Sequence, residues 1–262
     1  MKSLVPCLFL TLIGSAHGQI PADVQQAADQ GDVKAEIWIA RRYDMGLDSV
    51  PQNYGMALQY YQKAAAKGNI EAEISLGSIY EWGEGLPQDR AMALSWYKKA
   101  AAQGDAGAET LVGSLYLGAN GIPEDDVLAV EWFKKAAEQG YAEGERSLGT
   151  QYENGNGVSQ DYGLAMKWFK KAADQGNSDA ETAIGRMYEE GEGVPKTPAL
   201  AQEWYQKAAS QTIPTAPEAP SKPALKIKDT SIIIGLLVVV IVLLLTGLGL
   251  LLYILSRPKP IR

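Results

Sequence analysis

Ser95-Trp96-Tyr97-Lys98 sets a hydroxyl and an ammonium three residues apart, the Ser-x-x-Lys spacing in which a lysine activates a serine nucleophile. The same register in the next two segments reads Glu131-Trp132-Phe133-Lys134 and Lys167-Trp168-Phe169-Lys170. The serine is therefore a variable position in a recurring segment, and the companion motifs of that enzyme class are missing. Gly83-x-Gly85, Gly155-x-Gly157 and Gly191-x-Gly193 look like half of a dinucleotide-binding fingerprint. No strand pattern precedes them and they recur with a fixed period, so they read as helix terminators. Cys7 and His17 are the single residues of their kinds and both lie in the first 18 residues, a segment with the layout of a removable leader. Once it is removed, disulfides, Cys/His zinc sites, Cys-His nucleophiles and a Ser-His-Asp triad are all excluded. Neither a metal site nor a cofactor is expected.

Carboxylates form the other candidate group. Glu36, Glu73, Glu109, Glu145 and Glu181 hold one register in five successive segments. One reading is an acidic ladder along one face that attracts a cationic partner. The other is that each sits in the first turn of a helix, where the macrodipole favours a negative charge by a few tenths of a kcal/mol or more. Lys63, Lys99, Lys135, Lys171 and Lys207 mirror them near the ends of the partner helices. Asp125-Asp126 and Glu189-Glu190 are carboxylate pairs in an acidic surface context, without the features of a metal cage or a glycosidase pair.

Positioning these groups requires a repeat. Gly68, Gly104, Gly140 and Gly176 are 36 residues apart, as are Tyr80, Tyr116, Tyr152 and Tyr188, and Trp96, Trp132, Trp168 and Trp204. An earlier copy with one extra residue supplies Tyr43, Ala57, Tyr60 and Ala64. Each copy spells two helices. Ala72, Leu76, Ile79 and Tyr80 form one apolar stripe, with Asn69 to cap it and Gly83 to stop it. Asp89 caps the partner helix, whose stripe is Ala93, Trp96, Tyr97, Ala100 and Ala101. A lone hairpin cannot bury such a stripe, whereas a stack can, so the expected fold is all-α: a right-handed superhelical solenoid of five helix pairs. Trp96 and Tyr97 are expected to fill the space between copies.

The residues Leu76-Gly77, Tyr80, Gly83-x-Gly85-Leu86, Asp89, Ala93, Trp96-Tyr97 and Lys99-Ala100-Ala101 resemble the Sel-1-like repeat (SLR), a tetratricopeptide-like unit. The resemblance covers roughly residues 32–211. Departures are mild: Ala119 replaces the first loop glycine of copy three, Thr212 the closing glycine, and copy one has Ile39-Ala40. The resemblance implies a non-enzymatic scaffold that binds another protein or a peptide segment. Some secreted members are disulfide-stapled and linked to β-lactams, and a mature chain without cysteine does not look like that branch.

The ends give the topology. Residues 1–18 have a basic Lys2, an apolar run and small residues Ala16 and Gly18 before Gln19, the layout of a signal peptide; an uncleaved signal anchor is the alternative. Residues 19–31 are expected to cap the stack as a half-repeat. The five copies follow at 32–68, 69–104, 105–140, 141–176 and 177–211. In 212–230, Pro214, Pro217, Pro220 and Pro223 recur at the period of polyproline II, a stiff spacer or else a docking peptide. Ile232–Leu255 is 24 residues without a charge, long enough at about 1.5 Å per residue to cross a hydrocarbon core of about 30 Å, so residues 231–255 are expected to form one C-terminal transmembrane helix in the lipid bilayer. The tail 256–262, with Arg257, Lys259 and Arg262, is expected on the cytoplasmic side and the body on the exported side, in the periplasm at a bacterial inner membrane.

The chain carries a formal charge of −7, with 17 basic and 28 acidic residues between 27 and 211, which disfavours nucleic acid as a partner. Stacking uses the positions the copies share, so recognition should lie where first helices differ. In tetratricopeptide-like folds those helices line the concave surface. Trp38, Arg41, Arg42, Arg146 and Arg186 are the expected contacts, with Trp82 at a loop edge. A cell-wall- or β-lactam-acting hydrolase and a self-assembling solenoid are the alternative functions.

Overall fold

The structure, a computed structural model, describes residues 19–118 and 121–212. Among them are eleven α-helices, one 3-10 turn (Leu47–Ser49) and no strand. The helices are α1 (Ala22–Asp29), α2 (Val33–Met45), α3 (Tyr54–Ala65), α4 (Ile70–Trp82), α5 (Arg90–Ala102), α6 (Ala106–Tyr116), α7 (Asp126–Glu138), α8 (Ala142–Asn154), α9 (Tyr162–Asp174), α10 (Ser178–Glu190) and α11 (Pro198–Thr212). Contacts run almost wholly between helices adjacent in sequence, α2 on α3 on α4 and so on to α10 on α11, which is the connectivity of a solenoid. The signal peptide expected at 1–18 and the spacer, membrane span and tail expected beyond α11 lie outside the described residues. Among the described residues no helix is long and apolar enough to cross a membrane.

Local chemistry sets the helix limits. The side chains of Asp32, Asn53, Asn69, Asp89, Asp105, Asp125, Asp161 and Asn177 each accept from a backbone amide in the first turn of their helix, at 2.7–3.0 Å. The amides of Asp89, Asp125 and Asp161 in turn donate to the carbonyls of Tyr80, Tyr116 and Tyr152 at 2.8 Å. The recurring tyrosine thus closes each hairpin with its backbone as well as its ring. At the second loop glycine the chain passes close to the preceding copy. A Cβ on Gly157, whose φ is +68°, would lie 2.2 Å from the Asp126 carbonyl oxygen at the start of α7. Only glycine fits both that angle and that contact.

Inside each hairpin, a small residue on the first helix faces a ring on the second. A Cβ on Gly77 would meet the Tyr97 ring at 2.3 Å, and on Gly113, Gly149 and Gly185 would meet Phe133, Phe169 and Tyr205 at 2.6–2.8 Å. Tyr97, Phe133 and Phe169 are buried. The sequence assigned Tyr97 to the gap between copies. It lies instead in the seam of its own hairpin, because the missing glycine side chain leaves room only there. Trp96 does bridge copies, packing on a core made of α1 to α4 residues, and Trp132 packs likewise on the core that includes Tyr97 and Val112. At the N-terminal end α1 covers copy one: Ala28 is buried, and Gln25 donates to the Tyr60 hydroxyl at 2.9 Å.

This packing makes a testable contrast. Alanine exceeds glycine in helix propensity by about 0.8–1.0 kcal/mol. Gly113→Ala and Gly149→Ala are nevertheless expected to lose roughly 1–3 kcal/mol of net stability in denaturant titration, because their methyl groups press into buried rings. Gly55→Ala in α3, whose Cβ would come no nearer than 3.4 Å to Asn53 Oδ1, is expected to stabilise. Equal effects at the three positions would refute the close-approach account.

Candidate binding cleft

The five glutamates in register do not form a solvent-facing ladder. They are 0–6% exposed, and each is held by a residue from the end of its partner helix. Gln103, Gln139, Gln175 and Gln211 donate to Glu73, Glu109, Glu145 and Glu181 at 2.7–2.8 Å, and Lys67 takes the place of glutamine toward Glu36 at 2.8 Å. The lysines that mirrored them in the sequence lie over aromatic rings: Lys99, Lys135, Lys171 and Lys207 sit 3.6–4.7 Å from the centroids of Trp96, Trp132, Trp168 and Trp204. Lys207 also reaches Glu181 at 3.0 Å. Tryptophan, lysine, glutamine and glutamate thus form one fastening repeated along the stack. A carboxylate in a helical first turn faces inward here because the partner helix ends beside it with donors.

The nominated contact residues fall into separate places. Trp38 is half-buried against the first core, with the Arg42 guanidinium 3.0 Å above its ring. Arg42 also pairs with Asp48 at 2.7 Å, so this stack shields copy one rather than standing free. Arg41 is exposed and bridges to Glu71 of the next copy at 2.5 Å. Trp82, at the end of α4, is 66% exposed. Arg146 and Arg186 come together: both line a cleft of roughly 260 Å³ on α8 and α10, with Glu153 and Phe169 in its wall. Arg146 pairs with Glu143, and Arg186 with Glu153 Oε2 at 2.6 Å. Ser95 gives no nucleophile geometry: its hydroxyl donates to the Met92 carbonyl at 2.7 Å, while Lys98 donates to the Tyr116 hydroxyl at 2.7 Å. Among the described residues no group of three or more His, Cys, Asp or Glu side chains is placed to hold a metal ion.

Glu153 and Phe169 escaped the sequence reading. The seam aromatic is a tyrosine in copies one, two and five, where Tyr61, Tyr97 and Tyr205 donate to Asp44, Glu81 and Glu189 at 3.1, 2.8 and 2.7 Å. Copy three replaces both partners, with Leu117 and Phe133 in those registers, and copy four keeps the acid, Glu153, while its ring, Phe169, lacks the hydroxyl. The signal was present as one mismatched pair of columns in the alignment of copies. It is silent until the fold shows that the two columns touch.

Burial holds the carboxyls of Glu73, Glu109, Glu145 and Glu153 above the ordinary range, opposed by their amide, lysine or arginine partners. Between the ordinary and the raised values the folded chain binds more protons than the unfolded one, so these groups make stability fall as pH rises through that window. The repeat body is therefore expected to have a higher thermal midpoint near the top of the carboxylate range than at pH 7. Replacing Glu73 and Glu109 by glutamine should flatten that dependence in scanning calorimetry. A steeper dependence in the double variant would refute it.

The Sel1 repeat model matches residues 33–69, 70–105, 106–141, 142–177 and 178–212, one residue later than the boundaries read from the sequence. A protective antigen of uropathogenic Escherichia coli with an SLR fold is similar at 39% identity and a TM-score of 0.67, over 72% of this chain and 40% of that one. This chain thus spans about two fifths of that protein. A Sel1 repeat protein from Oxalobacter formigenes is similar at 31% identity and a TM-score of 0.64, over 71% of this chain and 74% of that one. No match is found among curated proteins. With five matched copies, a helix-pair solenoid and two such structural relatives, the chain belongs to the Sel1 repeat family.

Proposed function

We propose that this Sel1 repeat protein is a non-enzymatic scaffold that holds another protein, or a peptide segment of one, outside the cytosol while anchored in the bilayer by a single helix. The observation that carries the reading is a division of labour. The register-invariant residues (the seam glycines and rings, the tryptophan–lysine pairs, the inward glutamates) are used up in stacking. Residues that differ among first helices, Arg41, Arg146 and Arg186, remain at the surface or in the cleft. Such a surface varies from copy to copy and so can specify a partner, which a repetitive one cannot.

The stack is a right-handed superhelix in this proposal, with its first helices on the concave side. The anchor part rests on sequence alone: the leader at 1–18, the uncharged run at 232–255 and the basic tail put the body in the periplasm of a bacterium and the C-terminus in the cytoplasm. The acidic balance of the body favours a partner with a basic face, an effect confined to about 8–10 Å at physiological salt.

Two measurements test this. Protease added to the outside of right-side-out membrane vesicles should digest the repeat body and leave the tail; protection of the body would overturn the topology. Crosslinking of the intact protein in its membrane should capture a discrete set of partners, and Arg41→Ala should weaken the capture by about tenfold or more, the loss of a charge-assisted contact. An unchanged partner set would reject this face.

A further inference from the structure

Copy four contains half of an interaction. In copies one, two and five the seam tyrosine gives its hydroxyl proton to the acid at the end of the first helix. At Glu153 the acid remains, but residue 169 is phenylalanine and supplies no donor. Glu153 is 5% exposed. Its Oε2 is taken by Arg186 at 2.6 Å, while Oε1 is buried and has no hydrogen-bond partner among the described residues. A buried carboxylate oxygen without a donor forfeits the hydration it had in the unfolded chain and gains nothing in exchange. Glu153 is one of the residues that line the roughly 260 Å³ cleft, so the unpaired oxygen belongs to a side chain bordering that opening.

The charge around it selects the donor. Asp179 lines the same cleft, Glu143 occupies the Arg146 guanidinium, and Glu190 and Glu192 add negative potential at Glu153. Among the described residues that line the cleft, the basic ones are Arg146 and Arg186, each already paired. The surplus is negative, and a neutral hydroxyl donor would leave it uncompensated. We propose that the cleft on α8 and α10 receives a basic side chain of the partner's peptide segment, a lysine ammonium or arginine guanidinium. Its N–H donates to Glu153 Oε1 in the place that three other copies give to a tyrosine hydroxyl. This specifies the partner chemistry of the scaffold proposed above and rests on that reading.

Phe169→Tyr is the decisive variant. It keeps the net charge, introduces a residue the seam already tolerates in three copies, and returns the donor to Glu153 from within. The probes are dye-labelled acetyl-Gly-Gly-Lys-Gly-Gly-amide, its arginine counterpart and its norleucine counterpart, followed by fluorescence anisotropy on the full-length chain in detergent micelles. The lysine and arginine peptides are expected to bind and the norleucine peptide not to. Phe169→Tyr should weaken the two basic peptides by about tenfold or more, the loss of one charge-assisted hydrogen bond. It should also raise the thermal midpoint. A lysine peptide preferred over arginine, or the reverse, identifies which cation fits and supports the proposal. Absence of binding by both basic peptides, equal binding of norleucine, or basic-peptide binding unaffected by Phe169→Tyr would overturn it. If crosslinking still captures a partner while Phe169→Tyr has no effect, the scaffold stands and the cleft assignment falls.

Discussion

Each hairpin closes because an aromatic ring on its second helix lies directly against a residue of the first helix that has little or no side chain. The pairs are Gly77 with Tyr97, Gly113 with Phe133, Gly149 with Phe169 and Gly185 with Tyr205. A side chain of this kind contributes about 1.5–3 kcal/mol when fully buried. It can be buried only if the helix backbones come close enough for the ring to lie in the gap. Everything else along the stack depends on that spacing. It brings the glutamines at the ends of second helices within reach of the inward glutamates, and it puts seam hydroxyls beside the acids that end the first helices.

Buried acids in this protein are tolerated through repetition of one solution. An isolated buried carboxylate is costly, and its partners must be supplied with good geometry. Here the repeat supplies a donor in all five copies, a glutamine amide in four and the Lys67 ammonium in the first. A lysine held over a tryptophan ring adds positive charge nearby. Where a copy departs from the solution, the departure is informative. Copy three drops both members of the tyrosine–acid pair, so neither an unpaired acid nor an unpaired hydroxyl remains there. Copy four drops one member, and the acid that remains lines a cleft together with two arginines.

The five glutamates face inward and Arg42 is stacked and paired for the same reason. Register tells which residues share a face of a helix, and Glu36 through Glu181 do share one. It does not tell whether that face looks toward solvent or toward the end of the partner helix. That depends on the crossing of the two helices and the length of the loop. Arg42 was expected as a contact residue but lies flat on Trp38 and is paired to Asp48, an arrangement set by the turn after α2. Trp96 was placed correctly between copies, and Tyr97 beside it was not. One residue is a rotation of about 100° on a helix, enough to move a ring from the interface between hairpins to the seam inside one.

Period, amphipathic stripes, caps and terminators were local properties, and the chain alone determined them: five helix pairs, their order, their capping Asp and Asn residues and the glycines that end them. These follow from backbone hydrogen bonding and side-chain spacing within about 10 residues. The tertiary structure alone decided which recurring polar residues face inward, which ring fills which gap, and that Glu153 and Phe169 form a mismatched pair beside Arg146 and Arg186. Those outcomes depend on distances between residues 16 or more apart in the chain, as between Glu81 and Tyr97, and such distances are set by how one helix packs on another.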